Sequence, residues 1–95
     1  MAAYVIVDVK ITDPGEYEEY KKHTPAAVKA YGGKFLARGG RVQNLEGDWN
    51  PERIVVLEFP SVERAREWWE SDQYTFAREI RQRAATTGMI IVEGV

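Results

Sequence analysis

Strict alternation opens the chain. From Tyr4 to Ile11, the residues Val5, Val7, Val9 and Ile11 point one way, while Tyr4, Ile6, Asp8 and Lys10 point the other. A period of two predicts a first strand near residues 3–11. Asp13-Pro14 then reads as a helix N-cap followed by proline at the first helical position. Tyr17, Tyr20, Thr24, Ala27, Val28 and Tyr31 recur at helical spacing and form one face. Pro25 interrupts this stripe, so a kink or restart is expected there, with Thr24 capping the second piece. Gly32-Gly33 stops the helix.

A second strand is predicted near 34–39, ending in Gly39-Gly40. The connection VQNLEGDWNPE comes next and carries the Asn50-Pro51 turn signal. It either extends the hairpin before turning or forms a functional loop. Residues 53–59, RIVVLEF, are dense in β-branched and aliphatic side chains, which predicts a third strand. Pro60 ends it, because proline cannot continue the ladder. Ser61 sits at a helix N-cap, with Glu63 in the favourable first turn and Val62, Ala65 and Trp69 at helical spacing. Ser71 looks like a second cap, so the helix is expected to break at Glu70–Ser71. It resumes with Tyr74, Ala77, Ile80 and Ala84 on one face, and Thr87-Gly88 ends it before a fourth strand near 89–94.

The order is strand, helix, strand, twice over, with no low-complexity segment in the 95 residues. It is the split βαβ pattern of a ferredoxin-like α+β sandwich, βαββαβ, with a four-stranded antiparallel sheet in one domain. Right-handed crossovers would place both helices on one face of the sheet. The other face then has no cover, yet both faces carry apolar side chains. Val5, Val7, Val9, Val55, Leu57, Ile90 and Val92 are expected on one, and Ile6, Ile54, Val56, Met89 and Ile91 on the other. A four-stranded face about 17 Å long, with strands ~4.8 Å apart, is roughly 330 Å² in plan. An apolar patch of that order marks an interface, and a second copy packed sheet against sheet closes it most simply.

Composition narrows the function classes. A net charge of -2 argues against a phosphate-backbone binder, so no nucleic-acid partner is expected. Without cysteine there is no disulfide, thiol nucleophile or thiolate metal site. The first ten residues lack a basic region, and Asp8 and Lys10 interrupt their apolar run, so neither a signal peptide nor a membrane span is expected. A soluble, cytoplasmic protein is therefore the expectation. Phosphate-loop, Ser–His–Asp and zinc spacings are all missing, and no cofactor or metal is expected.

Taken together, GGKFLARGG, the LEGDW–NPER loop, VVLEFPSVERAREWW, SDQY and AREIR resemble domain-of-unknown-function family 1330, an uncharacterised family of dimeric α+β-barrel proteins. The resemblance runs from Tyr4 to Val95 in the right order. It implies a ferredoxin-like fold that dimerises into a β-barrel with helices outside, and no established activity. The wider superfamily includes cofactor-independent monooxygenases, haem-degrading enzymes, muconolactone isomerases and dye-decolourising peroxidases, many with the ligand between sheet and helices. That is analogy of fold, which does not fix function. The Asn, Trp and His set of the haem-degrading relatives has no counterpart in this sequence.

Candidate chemistry comes from strand parity. Asp8, Arg38 and Glu58, with Glu93 near the end, are expected on the mixed sheet face. The opposite face is wholly apolar apart from Arg53 at its edge. The apolar face is assigned to the dimer barrel and the mixed face to the helix side, where a pocket could form; the reverse assignment is the alternative, since parity alone fixes no register. Arg38 precedes Gly39-Gly40, where backbone or ligand can approach closely, and its guanidinium could clamp a carboxylate or enolate. The plainer alternative is an ion pair with Glu58 or Asp8 and a bulge at the two glycines. His23, the single histidine, could move a proton, or could be a surface or capping residue. Tyr20, Trp68 and Tyr74 belong to an aromatic helix layer that would line the pocket or simply fill the core. Trp68 and Trp69 are adjacent, so both cannot face the sheet, and Trp49 is expected against a second subunit. Arg78, Arg81 and Arg83 with Glu79 read as a solvated helix face.

Two functional classes compete. In the first, the protein binds or transforms a small anionic or enolic molecule without a metal, with His23, Arg38 and Glu58 as catalytic candidates and Asp8, Tyr20, Gly39, Trp68 and Tyr74 as ligand contacts. In the second, it is a non-catalytic structural or binding dimer whose polar residues are ion pairs of the fold.

Overall fold

A computed structural model describes residues 1–95. The elements are β1 (Ala3–Ile11), α1 (Pro14–Ala30), β2 (Lys34–Arg38), β3 (Arg53–Phe59), α2 (Val62–Glu70), α3 (Asp72–Ala84) and β4 (Ala85–Glu93). The sheet order is β2-β3-β1-β4 with every pair antiparallel, which is the ferredoxin-like arrangement. Three of the four expected caps form: Asp13, Ser61 and Ser71 accept from the backbone N–H of Glu16, Arg64 and Tyr74.

The core lies between the helices and one sheet face. Val5, Val7 and Val9 of β1 and Val55, Leu57 and Phe59 of β3 are buried there. Tyr17, Tyr20, Ala27 and Val28 of α1, Ala65 and Trp68 of α2, and Tyr74, Ala77, Ile80 and Ala84 of α3 close over them. This reverses the expected assignment of faces. The row that is apolar apart from Arg53 is the covered one, because burying it removes the most apolar area from water and leaves Asp8 and Glu58 of the mixed row solvated. The mixed row of Tyr4, Ile6, Asp8, Ile54, Val56 and Glu58 lies on the open face, out of reach of the helices.

Register explains two further differences. Met89 pairs with Val7 and Ile91 with Val5, so these two residues join the covered row. Ile90 and Val92 turn to the open face, and Glu93 falls opposite Ala3 rather than among the mixed set. In β2, Lys34 pairs with Glu58 and Phe35 with Leu57, but the next pairs are Ala37 with Val56 and Arg38 with Val55. The extra residue, Leu36, is a bulge that flips the parity of the residues beyond it. Arg38 is thereby carried to the helix side, away from Asp8 and Glu58. The bulge sits at Leu36, not at Gly39-Gly40.

α1 runs unbroken through Pro25. Thr24 does not cap a second piece; its hydroxyl donates back to the Tyr20 carbonyl at 2.9 Å. Pro25 has no N–H for the carbonyl of Lys21, and Arg38 Nη2 donates to that oxygen instead at 3.2 Å. α3 ends at Ala84 and β4 starts at once, four residues before the expected strand, because Ala85, Thr86 and Thr87 continue the ladder along Ile11, Lys10 and Val9. No helix is long and apolar enough to cross a membrane.

Gly33 tests the packing directly. A Cβ there would lie 2.5 Å from Phe59 Cε1 and 2.8 Å from Val28 Cγ1. Gly33→Ala is expected to lower the unfolding free energy by about 1–3 kcal/mol, the usual range for overpacking, as measured by urea denaturation.

Candidate anion-binding site

A cavity of about 20 Å³ lies between the covered sheet face and the helices, partly open on the side of Arg38. Val7, Val55 and Leu57 form its floor, Tyr17, Tyr20 and Trp68 its roof, and Arg38, Arg53 and Arg81 its sides. That volume admits a single water or the oxygen of a small group.

Each arginine arrives by a different route. Arg53 opens β3 opposite Val9, so its parity carries it under the helices. Its guanidinium lies 5.4 Å from the centre of the Tyr17 ring. Gly39, at φ +73, presses its backbone so close that a side chain there would overlap this guanidinium. Arg38 reaches the cavity through the Leu36 bulge and lies 4.5 Å from the Phe35 ring centre. Arg81 comes from α3 and is only 6% exposed. Its Nη1 donates to Thr87 Oγ1 at 2.6 Å.

None of these guanidiniums has a carboxylate partner. The ion pairs of the chain join Lys21–Glu18, Lys22–Glu19, His23–Glu19, Lys34–Glu58, Arg64–Glu67, Arg66–Glu70 and Arg83–Glu16. The buried side-chain atoms left without a hydrogen-bond partner are Arg53 Nε, Trp68 Nε1 and Arg81 Nε, and all three residues line this cavity. A buried donor without an acceptor costs about 1–3 kcal/mol, more when it is charged. Three such donors belong to residues that line one cavity.

The tyrosines cannot serve as bases here. Burial pushes the Tyr20 phenol well above its ordinary value, and the neighbouring Tyr74, whose hydroxyl lies 2.9 Å from that of Tyr20, pushes it further. Burial also raises Tyr17, opposed by Arg53. Both stay neutral at neutral pH.

The expected site residues divide. Arg38, Tyr20 and Trp68 line the cavity. Tyr74 stands behind them, its ring 4.1 Å from that of Trp68. Gly39 braces Arg53 without lining the cavity. Asp8, Glu58 and His23 are elsewhere. Asp8 accepts from Trp49 Nε1 at 2.8 Å on the open face, and Glu58 lies 3.7 Å from Lys34. His23 lies on the outer flank of α1, 3.2 Å from Glu19 and edge-on to Phe76. That contact, and then Lys22, holds the exposed Glu19 carboxyl below its usual value. No three His, Asp or Glu side chains gather to hold a metal.

Arg81 is the residue that sequence reasoning assigned wrongly, to a solvated face. Its spacing carried the signal, since positions 74, 77, 81 and 84 lie along one helical stripe. Arg53 was visible on the apolar row and acquires a role once that row is the covered one.

The chain belongs to the family described as a domain of unknown function, DUF1330, whose model matches residues 2–95. No curated protein matches it. Among solved structures it is similar to RPA0582, a protein of unknown function from Rhodopseudomonas palustris. The two share 21% identity at a TM-score of 0.77, over 99% of this chain and 82% of that one. It is also similar to SnoaB, a cofactor-independent oxygenase from Streptomyces nogalater, at 11% identity and TM-score 0.67, over 99% and 93%. A dimeric protein of unknown function with a ferredoxin-like fold from Bacteroides fragilis matches at 14% identity and TM-score 0.57, over 98% and 96%. At these identities the likeness shows the fold.

The tyrosine shifts predict a pH dependence. A phenol whose folded value lies above the unfolded 10.0 favours folding below that pH and loses this contribution as pH rises past it. In an alkaline titration monitored by phenolate absorbance, Tyr17 and Tyr20 are expected to ionise above the ordinary phenol value of 10.0, together with unfolding. Tyr20→Phe should remove one of these late ionisations.

Proposed function

We propose that this DUF1330 protein binds a small anionic or enolic organic molecule between sheet and helices, with no metal cofactor. The observation that carries this reading is the convergence of Arg53 Nε, Trp68 Nε1 and Arg81 Nε, all buried and unpartnered, on one cavity. Arg38 adds a third guanidinium at its side. An oxyanion would satisfy donors that nothing else in the chain satisfies, in a largely buried setting where charge-assisted bonds are stronger than in water. The likeness to SnoaB, itself a cofactor-independent oxygenase, supports a reading on this fold that needs no cofactor.

The groups around the cavity hold charge rather than move protons. His23 and Glu58 lie outside it, and the two phenols are neutral. The first reading is therefore binding, with any reaction limited to what a stabilised enolate or carboxylate does by itself. The second is a non-catalytic ligand-binding dimer, favoured by that lack of a base. A turnover assay with and without oxygen separates them.

The working unit of this proposal is a cytoplasmic homodimer, the 95 residues acting as one dimeric α+β-barrel domain. Ile6, Ile54, Val56, Ile90 and Val92 put an apolar surface on the open face, with Ile90 59% exposed. The Bacteroides fragilis neighbour is dimeric. Stability without disulfides asks for no oxidising compartment.

Two outcomes are expected. In a thermal-shift screen of small acids, keto acids and enols, some members should raise the melting temperature, and Arg81→Gln should weaken their binding about tenfold or more. A screen with no stabilising acid contradicts the reading. Sedimentation at micromolar concentration should give twice the chain mass for the parent, and the monomer mass for a folded Ile90→Asp variant.

A further inference from the structure

A larger concavity lies outside the cavity, beside β4 at the edge of the sheet. Its volume is about 690 Å³. Trp69 at the end of α2, Arg81 and Gln82 of α3, and Met89 and Ile91 of β4 form its walls. Arg81 and Met89 line both this groove and the inner cavity, so these two side chains form the wall the two spaces share. The volumes assign different tasks. The inner space takes about one oxygen atom, whereas 690 Å³ lies within the roughly 300–1,000 Å³ of small-molecule sites.

The groove is also built for an apolar body. Trp69 is 39% exposed, and Arg78 stacks 4.0 Å from its ring centre while donating to its backbone carbonyl at 3.2 Å. Met89 and Ile91 offer flat apolar wall opposite. At the rim Arg66 and Glu70 neutralise each other at 3.1 Å. A concavity on the other flank shares Arg38 and Arg53 with the cavity, but its remaining lining is Glu18, Lys21 and Lys22, with no apolar residue. Only the β4 groove joins an apolar wall to a buried guanidinium whose Nε is free.

We infer that the ligand is an amphipathic acid. Its carboxylate or enolate reaches Arg81 and the cavity donors, and its aromatic or branched apolar body lies in the β4 groove against Trp69, Met89 and Ile91. This rests on the reading of the cavity as an anion site, and it names the class of molecule the site takes.

Acids of one head group and growing body test it. The protein is titrated with acetate, benzoate and naphthoate and monitored by amide NMR. Affinity should rise at least about tenfold from acetate to naphthoate. Trp69→Ala should lower naphthoate affinity. Gln82→Trp fills the groove from an exposed helix position, so it should remove the gain from body size while the fold is kept and acetate still binds. Arg81→Gln should weaken all three. If the acids bind alike, or the gain survives Gln82→Trp, the groove assignment is overturned while the anion site stands. If no acid binds, acetate included, both are overturned.

Discussion

The packing of α1, α2 and α3 onto the row Val5, Val7, Val9, Val55, Leu57 and Phe59 is the interaction on which the rest depends. A sheet covered on one side turns every single-residue step along a strand into a choice between core and open surface. Once this row is the buried one, Arg53 goes inward with it as the first residue of β3, and Asp8 and Glu58 are turned outward. The Leu36 bulge makes the same choice for Arg38. One packing decision thus separates two populations of charge. Asp8 and Glu58 lie on the open face with Lys10 and Lys34, while Arg38 and Arg53 go to the helix side, where neither has a carboxylate partner.

Such a convergence opposes folding, and local devices reduce its cost. Arg38 takes the Lys21 carbonyl that Pro25 cannot serve, so a helix defect becomes an anchor. Arg81 is tied to Thr87, and Arg53 is held between Gly39 and the Tyr17 ring. Each arrangement engages part of a guanidinium, and the Nε of Arg53 and of Arg81 stays without a partner. Fully paired arginines would be ordinary structural members. Partly paired ones, beside a tryptophan whose N–H is also free, carry a stability cost of the kind found at functional sites, which is the basis of the proposed anion site.

Much of the fold could be read from residue order because local signals were strong. The alternation in β1, the caps at Asp13, Ser61 and Ser71, and the stop at Pro60 all act within a few residues. The features that escaped were non-local. A bulge at Leu36 leaves no mark in KFLAR, since it exists only as a mismatch with β3. The covered face could not be chosen without β4's register, which puts Met89 and Ile91 inward and Ile90 outward. Arg81 sits in an arginine-rich stretch of the kind that usually faces water, although its spacing from Ala77 and Ala84 places it inward. Arg38, Tyr20 and Trp68 were legible as site candidates because glycine neighbours and aromatic helical spacing are local signals. His23 and Glu58 were attractive only for their residue type.

The central claim is that the free N–H groups around the cavity await an oxyanion. Its most direct measurement is the nitrogen-detected NMR signal of Arg53 Nε–H, Arg81 Nε–H and Trp68 Nε1–H during titration with benzoate at constant ionic strength. These are the three atoms without acceptors. The account predicts that all three move together, downfield and to saturation, with one dissociation constant. Signals that stay fixed, or drift linearly without saturating, would contradict it.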